Sequence, residues 1–244
     1  MPMSLSLEGQ KDRAIRIGMR IYNSFFVRSI ERPVPALPEL KQIEEHAALE
    51  STDICDHLAT IFGEALAARP GLIVELGVRG GETRFVFEKV SQLTGSALVS
   101  ADIEDCSSVC SPSPRWHFVQ KDDVQFAAEF PAWCRSRGID PQIDVLFIDT
   151  SHIYEHTVCE IKAWFPLLAP KCKVIFHDTN MGNYYRQQNG TIRKGWDNQR
   201  GVIRAIEEHL GTRFNEKISF VTTVNEWLVR HWPYCSGLTV MERS

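Results

Sequence analysis

The sequence predicts an α/β fold: a doubly wound, mostly parallel seven-stranded sheet with an antiparallel edge pair, preceded by a helical N-terminal cap. Three observations predict it. Short apolar runs alternate with longer amphipathic ones from residue 71 onward, the first run ends in a glycine-rich turn, and carboxylates stand at the ends of later runs. Strands that alternate with helices pair in parallel, with helices on both faces.

About seventy residues precede the first strand. Arg13 to Ile30 carries Ile17, Ile21 and Phe25 four apart with arginines between them, a basic amphipathic helix. With an acidic balance elsewhere, a cap or an oligomer contact suits it better than a membrane-surface helix. Pro33, Pro35 and Pro38 then impose an extended linker, and a second helical stretch is expected from Glu39 to Ala68. This divides the chain into a helical cap or lid over 1–69 and a main domain over 70–244.

Gly71 to Gly77 reads as a buried strand, Glu82 to Leu93 as a helix, and Ala97 to Asp102 and Trp116 to Gln120 as strands. Val124 to Arg137 is helical, Ile143 to Asp149 a strongly apolar strand, Tyr154 to Leu168 a helix, and Lys173 to His177 a strand. A last helix over Val202 to Leu210 precedes two runs, Ile218 to Val224 and Gly237 to Arg243, that read as the antiparallel pair.

With 244 residues, 43% of them hydrophobic, the chain is long enough to bury a sizeable core. Its net charge of -4 offers no basic footprint for nucleic acid. No apolar run approaches the ~20 residues a membrane span needs, and the first residues lack the apolar stretch of a secretory signal. Seven cysteines without a C-x-x-C pair read as reduced thiols. The expectation is a cytoplasmic protein acting on a small molecule.

The first strand ends in Glu75-Leu76-Gly77-Val78-Arg79-Gly80-Gly81-Glu82-Thr83 and feeds directly into a helix. Glycines there let the backbone approach a ligand in the crevice beyond the strand ends. Asp102 ends the next strand, 25 residues past Gly77, where a carboxylate can grip ribose hydroxyls. Asp122 and Asp123 follow the third strand. Strand four ends in Asp149-Thr-Ser-His152, and strand five in His177-Asp178-Thr-Asn180. Both carboxylates would emerge at one edge of the sheet, where Asp149, Asp178 and His177 or Asn180 could share Mg²⁺, or cap the following helices instead. The twenty or so residues from Asn180 to Gly201 show no clear periodicity; Tyr184, Tyr185 and Trp196 could wall a substrate pocket there, with Tyr154 and His152 alongside, and Arg186, Arg193 and Lys194 could meet an anionic acceptor.

The E-x-G-x-x-x-G stretch, Asp102 and Asp122 resemble the cofactor-binding series of class I S-adenosylmethionine-dependent methyltransferases, whose fold is Rossmann-like. The resemblance covers about residues 70 to 244. It implies that Gly77 and Gly81 border the methionine and ribose moieties, that Asp102 holds the ribose and that Asp122 meets the adenine; Glu75, Arg79, Thr83 and Asp149 complete the expected cofactor site. The family's middle glycine is Arg79 here, a departure that also argues against a pyrophosphate-binding turn.

Asp149-x-x-His152 with His177-Asp178 looks most like the branch of macrolide-sugar O-methyltransferases and cephalosporin-pathway relatives. Those enzymes hold magnesium with an aspartate after strand four and an acidic pair after strand five, and use a histidine as base. Asp149, Asp178 and His152 match; His177 stands where the pair has its first acid. The implied reaction is methyl transfer to a small-molecule acceptor, most often a hydroxyl, with His152 and Asp149 as catalytic groups and Asp149, Asp178 and His177 around the ion. A nicotinamide-dependent oxidoreductase and a non-catalytic binding module on the same sheet are the alternatives. The N-terminal helices could join copies of the chain.

Overall fold

In a computed structural model, which describes residues 7–29, 37–49, 51–109 and 113–243, one sheet of eight strands organises the chain. Its strands are β1 (Leu72–Leu76), β2 (Ala97–Asp102), β3 (Trp116–Gln120), β4 (Ile143–Ile148), β5 (Leu168–His177), β8 (Phe220–Val224), β9 (Trp227–Trp232) and β10 (Leu238–Arg243). The order is β3-β2-β1-β4-β5-β10-β9-β8. The first five strands in that order run parallel, and β10, β9 and β8 follow as antiparallel neighbours.

The helices are α1 (Leu7–Phe26), α2 (Pro38–Leu49), α3 (Leu58–Ala67), α4 (Glu82–Thr94), α5 (Asp123–Arg135), α6 (Tyr154–Trp164) and α7 (Gly201–Leu210). A two-stranded hairpin, β6 (Tyr184–Arg186) and β7 (Ile192–Lys194), lies outside the main sheet.

Successive residues of a strand point to opposite faces, so each buried strand feeds two cores. Leu72, Val74 and Leu76 of β1 pack with Phe126 and Phe130 of α5, Trp164 of α6 and Ile203 of α7. Ile73 turns the other way, into a cluster with Ile61 and Phe62 of α3, Phe87 of α4 and Phe147 of β4. Glu75, two residues on from Ile73, shares that second face.

The structure corrects three expectations. The sheet has eight strands, not seven: Trp227–Trp232 forms a strand of its own, so the antiparallel edge is a three-stranded meander. The helix expected from Glu39 to Ala68 is two helices and a 3-10 turn over Cys55–His57, and the break contains Ser51, Thr52 and Asp53, whose side chains compete with helical hydrogen bonds. The stretch after β5, read as aperiodic, contains the β6–β7 hairpin.

The residues before β1 do not behave alike. Leu58, Ile61, Phe62 and Ala65 of α3 are fully buried, whereas α1 exposes Ile17, Ile21 and Phe25, the last 78% accessible. Helix α1 leans on the hairpin instead: Asn23 exchanges hydrogen bonds with the Ile192 main chain at 3.1 and 2.9 Å, and Lys194 Nζ donates to Asp12 at 2.6 Å. The linker prolines 33 and 35, and Ile30 at the expected end of the first helix, lie outside the described residues, as does Cys110; the other six cysteines are free thiols. No helix among the described residues is long and apolar enough to cross a membrane.

Because Phe62 is wholly buried between α3 and the sheet, Phe62→Ala should lower stability by about 3–5 kcal/mol in urea unfolding. A loss below about 1 kcal/mol would mark α3 as peripheral.

Candidate functional site

The carboxyl ends of β1, β2, β4 and β5 open into a cavity of about 950 Å³. Its cofactor side begins at the turn after β1. Gly77 donates its N–H to Ala101 O of β2, while Asp149 N on β4 donates to Leu76 O, both at 2.9 Å, so the turn is fixed to both neighbouring strands. Gly77 has φ +85°, and a Cβ there would lie 2.1 Å from the Asp149 carbonyl oxygen; only glycine fits. Gly81, at φ +84°, is the N-cap of α4.

Asp102 laces this turn to β2. One carboxylate oxygen accepts from the N–H groups of Val78 (2.8 Å) and Arg79 (3.1 Å), the other from Glu104 (2.9 Å). Burial alone would raise its pKa; the three amide donors outweigh it and hold Asp102 below the usual carboxylate range. Its second oxygen keeps acceptor capacity toward the cavity, as ribose hydroxyls require. Asp122 also faces the cavity and caps α5, accepting from Gln125 N at 2.8 Å. Arg79 projects its side chain into solvent, 4.0 Å from Asp53.

Glu75 behaves differently. It is wholly buried and accepts 2.6 Å hydrogen bonds from Thr83 and Ser100, with burial pushing its pKa up to about 7 against those donors. It braces α4 from beneath the turn, and Thr83 is the partner that reaches the cavity.

The chemical side gathers Asp149, His152 and Asp178. His152 Nδ1 lies 2.9 Å from Asp178 Oδ2 and 3.8 Å from Asp149 Oδ1. One donor atom from each of the three falls within 4.8 Å of the others, so they could hold a metal ion together. Asp178 Oδ1, fully buried, has no hydrogen-bond partner. His152 and Asp178 both have left-handed backbones, at φ +60° and +56°. Burial opposes a charged imidazole at His152, but the hydrogen bond and charge of Asp178 prevail and raise its pKa. Asp178 is held far below the carboxylate range by His177 and His152, despite its burial.

His177, expected among the metal ligands, is not in this cluster. Its ring is buried, with Nδ1 3.1 Å from Asp149 Oδ1 and Nε2 3.3 Å from the Asp53 carbonyl. Burial disfavours its charge, yet Asp178 and Asp149 raise its pKa well above the ordinary value, so it serves as a counter-ion behind the carboxylates. Neither Asp149 nor Asp178 caps a helix; the N-cap of α6 is Ile153.

Tyr185, Lys194 and Trp196 border the cavity, and the Trp196 ring lies edge-on to His152, 6.2 Å between centroids. Two expected wall residues lie elsewhere. Tyr184 is half exposed on the hairpin, and Tyr154 hydrogen-bonds Glu208 beneath the Arg204 guanidinium, beside a separate groove. Asn180 faces the Pro233 carbonyl and Lys217, and Arg186 and Arg193 are bound to Tyr22 and Ser51.

Asp53 and Ser236 also border the cavity. They come from the break before α3 and the β9–β10 turn; a single polar residue in a loop carries no periodic signal that would expose it.

Residues 74–179 match a family profile described as a methyltransferase domain. The matched segment contains the Gly77 turn together with Asp102, Asp122, Asp149, His152 and Asp178. No curated protein matches the chain in sequence. Among solved structures, it is similar to an S-adenosylhomocysteine-bound methyltransferase from Podospora anserina, PaMTH1, at 10% identity and a TM-score of 0.52 over 100% of both chains. A methyltransferase from Geobacter sulfurreducens aligns at 16% identity and TM-score 0.50, over 94% of this chain and 96% of its own. MycE, a methyltransferase of mycinamycin biosynthesis in complex with Mg, S-adenosylhomocysteine and mycinamycin VI, aligns at 17% identity and TM-score 0.52, over 85% of this chain. This chain spans 55% of the length of MycE, and at such identities the likeness is one of fold.

Glu75 yields a pH test. Its folded pKa of about 7 lies above the ordinary 4.5, so the folded state keeps a proton that the unfolded state releases. Its contribution to stability is therefore present below 4.5 and is lost as pH rises through 7. Glu75→Gln, unable to ionise, should gain on the wild type across that window in urea melts; a difference independent of pH would show that Glu75 is charged throughout.

Proposed function

We propose that the domain methylates a hydroxyl group of a small-molecule acceptor, with His152 as general base. The observation that carries this reading is the 2.9 Å contact between His152 Nδ1 and Asp178 Oδ2 at the wall of the cavity that the Gly77 turn and Asp102 also line. With its Nδ1–H directed at Asp178, the ring presents Nε2 as an acceptor, the arrangement a base needs.

S-adenosylmethionine supplies a methyl group on positively charged sulfur, whose C–S bond breaks toward sulfur as the acceptor's C–O bond forms. The chain's part is placement and proton transfer. Asp102 and the backbone of residues 77–81 bind the nucleoside end, Thr83 and Asp122 border it, and the acceptor hydroxyl gives its proton to His152 Nε2. Trp196 and Tyr185 screen the reacting atoms from water.

The donor set also suits a divalent ion. Asp149 and Asp178 would hold it, each offering a carboxylate oxygen within 4.8 Å of the other. Magnesium bound there would lower the pKa of the acceptor hydroxyl and orient it, and MycE is a methyltransferase solved in complex with Mg. The residues over 1–69 would supply a lid, since α1 packs on the hairpin whose Tyr185 and Lys194 border the cavity, and the exposed Ile17–Ile21–Phe25 stripe is the surface through which copies would meet.

With S-adenosylhomocysteine release from S-adenosylmethionine measured over a panel of hydroxylated acceptors, His152→Ala should lower turnover by about 10²–10⁴-fold. Thermal shifts with S-adenosylhomocysteine should be retained, and NADH should give none. Unchanged turnover removes His152 from the chemistry. Chelation by EDTA should abolish turnover and Mg²⁺ should restore it; indifference to EDTA dismisses the ion.

A further inference from the structure

Behind the adenine side of the cavity lies a second group of ionisable side chains that methyl transfer does not use. Asp123 opens α5, and His156 and Glu160 sit one turn apart on α6. His156 Nε2 is 3.0 Å from Asp123 Oδ1 and 3.7 Å from Glu160 Oε1. Asp123 is 5% exposed and Glu160 not at all.

This is a poor place for two carboxylates. Thr150 Oγ1 donates to Glu160 Oε1 at 2.5 Å and His156 satisfies Asp123 Oδ1, but Asp123 Oδ2 and Glu160 Oε2 are both buried without a partner. A buried carboxylate oxygen left bare costs free energy that a cation or a donor must offset. A proton shared between Glu160 and Asp123, or a dication bound by both, would complete these two oxygens.

We propose that Asp123, His156 and Glu160 bind a transition-metal dication of the zinc type, at a site separate from Asp149 and Asp178. One imidazole and two carboxylates are the donors such ions accept. One donor atom from each of the three lies within 4.8 Å of the others, close enough to converge on a single ion. Thr150 is the supporting hydrogen bond that orients Glu160. Asp123 and His156 border the cavity, which gives the ion an entry path. The ion would tie the first turn of α5 to α6 and brace the Asp122 end of the cofactor site.

The test uses the full chain, stripped of metal and titrated with Zn²⁺ alone by calorimetry, with bound zinc measured by mass spectrometry after gel filtration. To set the chemical site aside, every protein carries Asp149→Asn and Asp178→Asn. In that background, Glu160→Gln and His156→Gln should each weaken one zinc equivalent by more than the roughly 10–100-fold typical of losing a supporting residue. Glu160→Gln keeps the side chain's shape and the Thr150 contact, and its thermal melt without zinc reports whether it folds. Zinc stoichiometry and affinity unchanged by both substitutions would overturn the site, as would failure of the parent to bind zinc. A Glu160→Gln protein stabilised without any change in zinc binding would assign the cluster to a shared proton and likewise overturn it.

Discussion

The approach of Gly77 to the main chain of Asp149 is the constraint on which both halves of the cavity depend. Strand β1 is central, and the turn that leaves it is hydrogen-bonded to β2 through Ala101 and adjoins β4 through Asp149. Any Cβ at residue 77 would push Asp149 outward and move the chemical site relative to the cofactor turn. Nucleophilic displacement needs its reacting atoms held to a fraction of an ångström, so a rigid, side-chain-free junction between the two halves is what the chemistry requires.

Strain accumulates beside that junction. His152, Asp178, Gln199 and Arg200 adopt left-handed backbones although none is glycine, and such residues cost of order 1–3 kcal/mol each. Asp178 is held there by Asn198, whose side-chain amide donates to its carbonyl at 3.1 Å, and by the β9–β10 turn, whose Ser236 and Gly237 carbonyls accept from Asn180 and Thr179. The electrostatics are balanced in the same small volume. Two carboxylates, Asp149 and Asp178, face two imidazoles, His152 and His177. Buried carboxylates without counter-charge would be costly, and His177 supplies that charge without occupying the cavity wall.

Strands β1, β4 and the second half of β5 were legible because they are buried on both faces and read as nearly continuous apolar runs, whereas β3, at the sheet edge, is only half-buried. The strand ends were legible as well, so Gly77, Asp102, Asp122, Asp149 and His152 could be placed around one cavity from spacing and resemblance. Sequence reasoning lost ground where polar residues face inward or apolar ones outward. Trp227–Trp232 buries only alternate residues, with Arg230 and His231 interrupting it, and so did not stand out as a strand. The hairpin is six strand residues long and three of them are basic, too short for a period to register. Glu75 has the spacing of a ligand-facing acid, yet strand alternation sends it into the core beside Thr83 and Ser100. His177 holds the position of a family ligand, but its ring is engaged by Asp53, a residue more than a hundred positions away.

The two walls of the cavity are built by different physics. The cofactor wall is made of main-chain hydrogen bonds and strands whose side chains fill two continuous cores, so moving it would expose apolar surface. On the opposite wall, the β6–β7 hairpin is anchored by buried Gln187, which donates to Ser51 and Thr52, and by Cys235 N, which donates to Arg186 O. Helix α1 is attached to that hairpin through Asn23, Lys194–Asp12 and Arg186–Tyr22, polar contacts largely in solvent. Exposed ion pairs of that kind contribute little to stability, and segments with few buried apolar contacts open first. Displacement of α1, rather than of the anchored hairpin, is therefore the less costly route by which a bulky acceptor could enter, and it would leave the Gly77–Asp149 junction and the His152–Asp178 pair undisturbed. Acceptor choice would then reside in the hairpin and α1, while the chemistry resides in the strand ends.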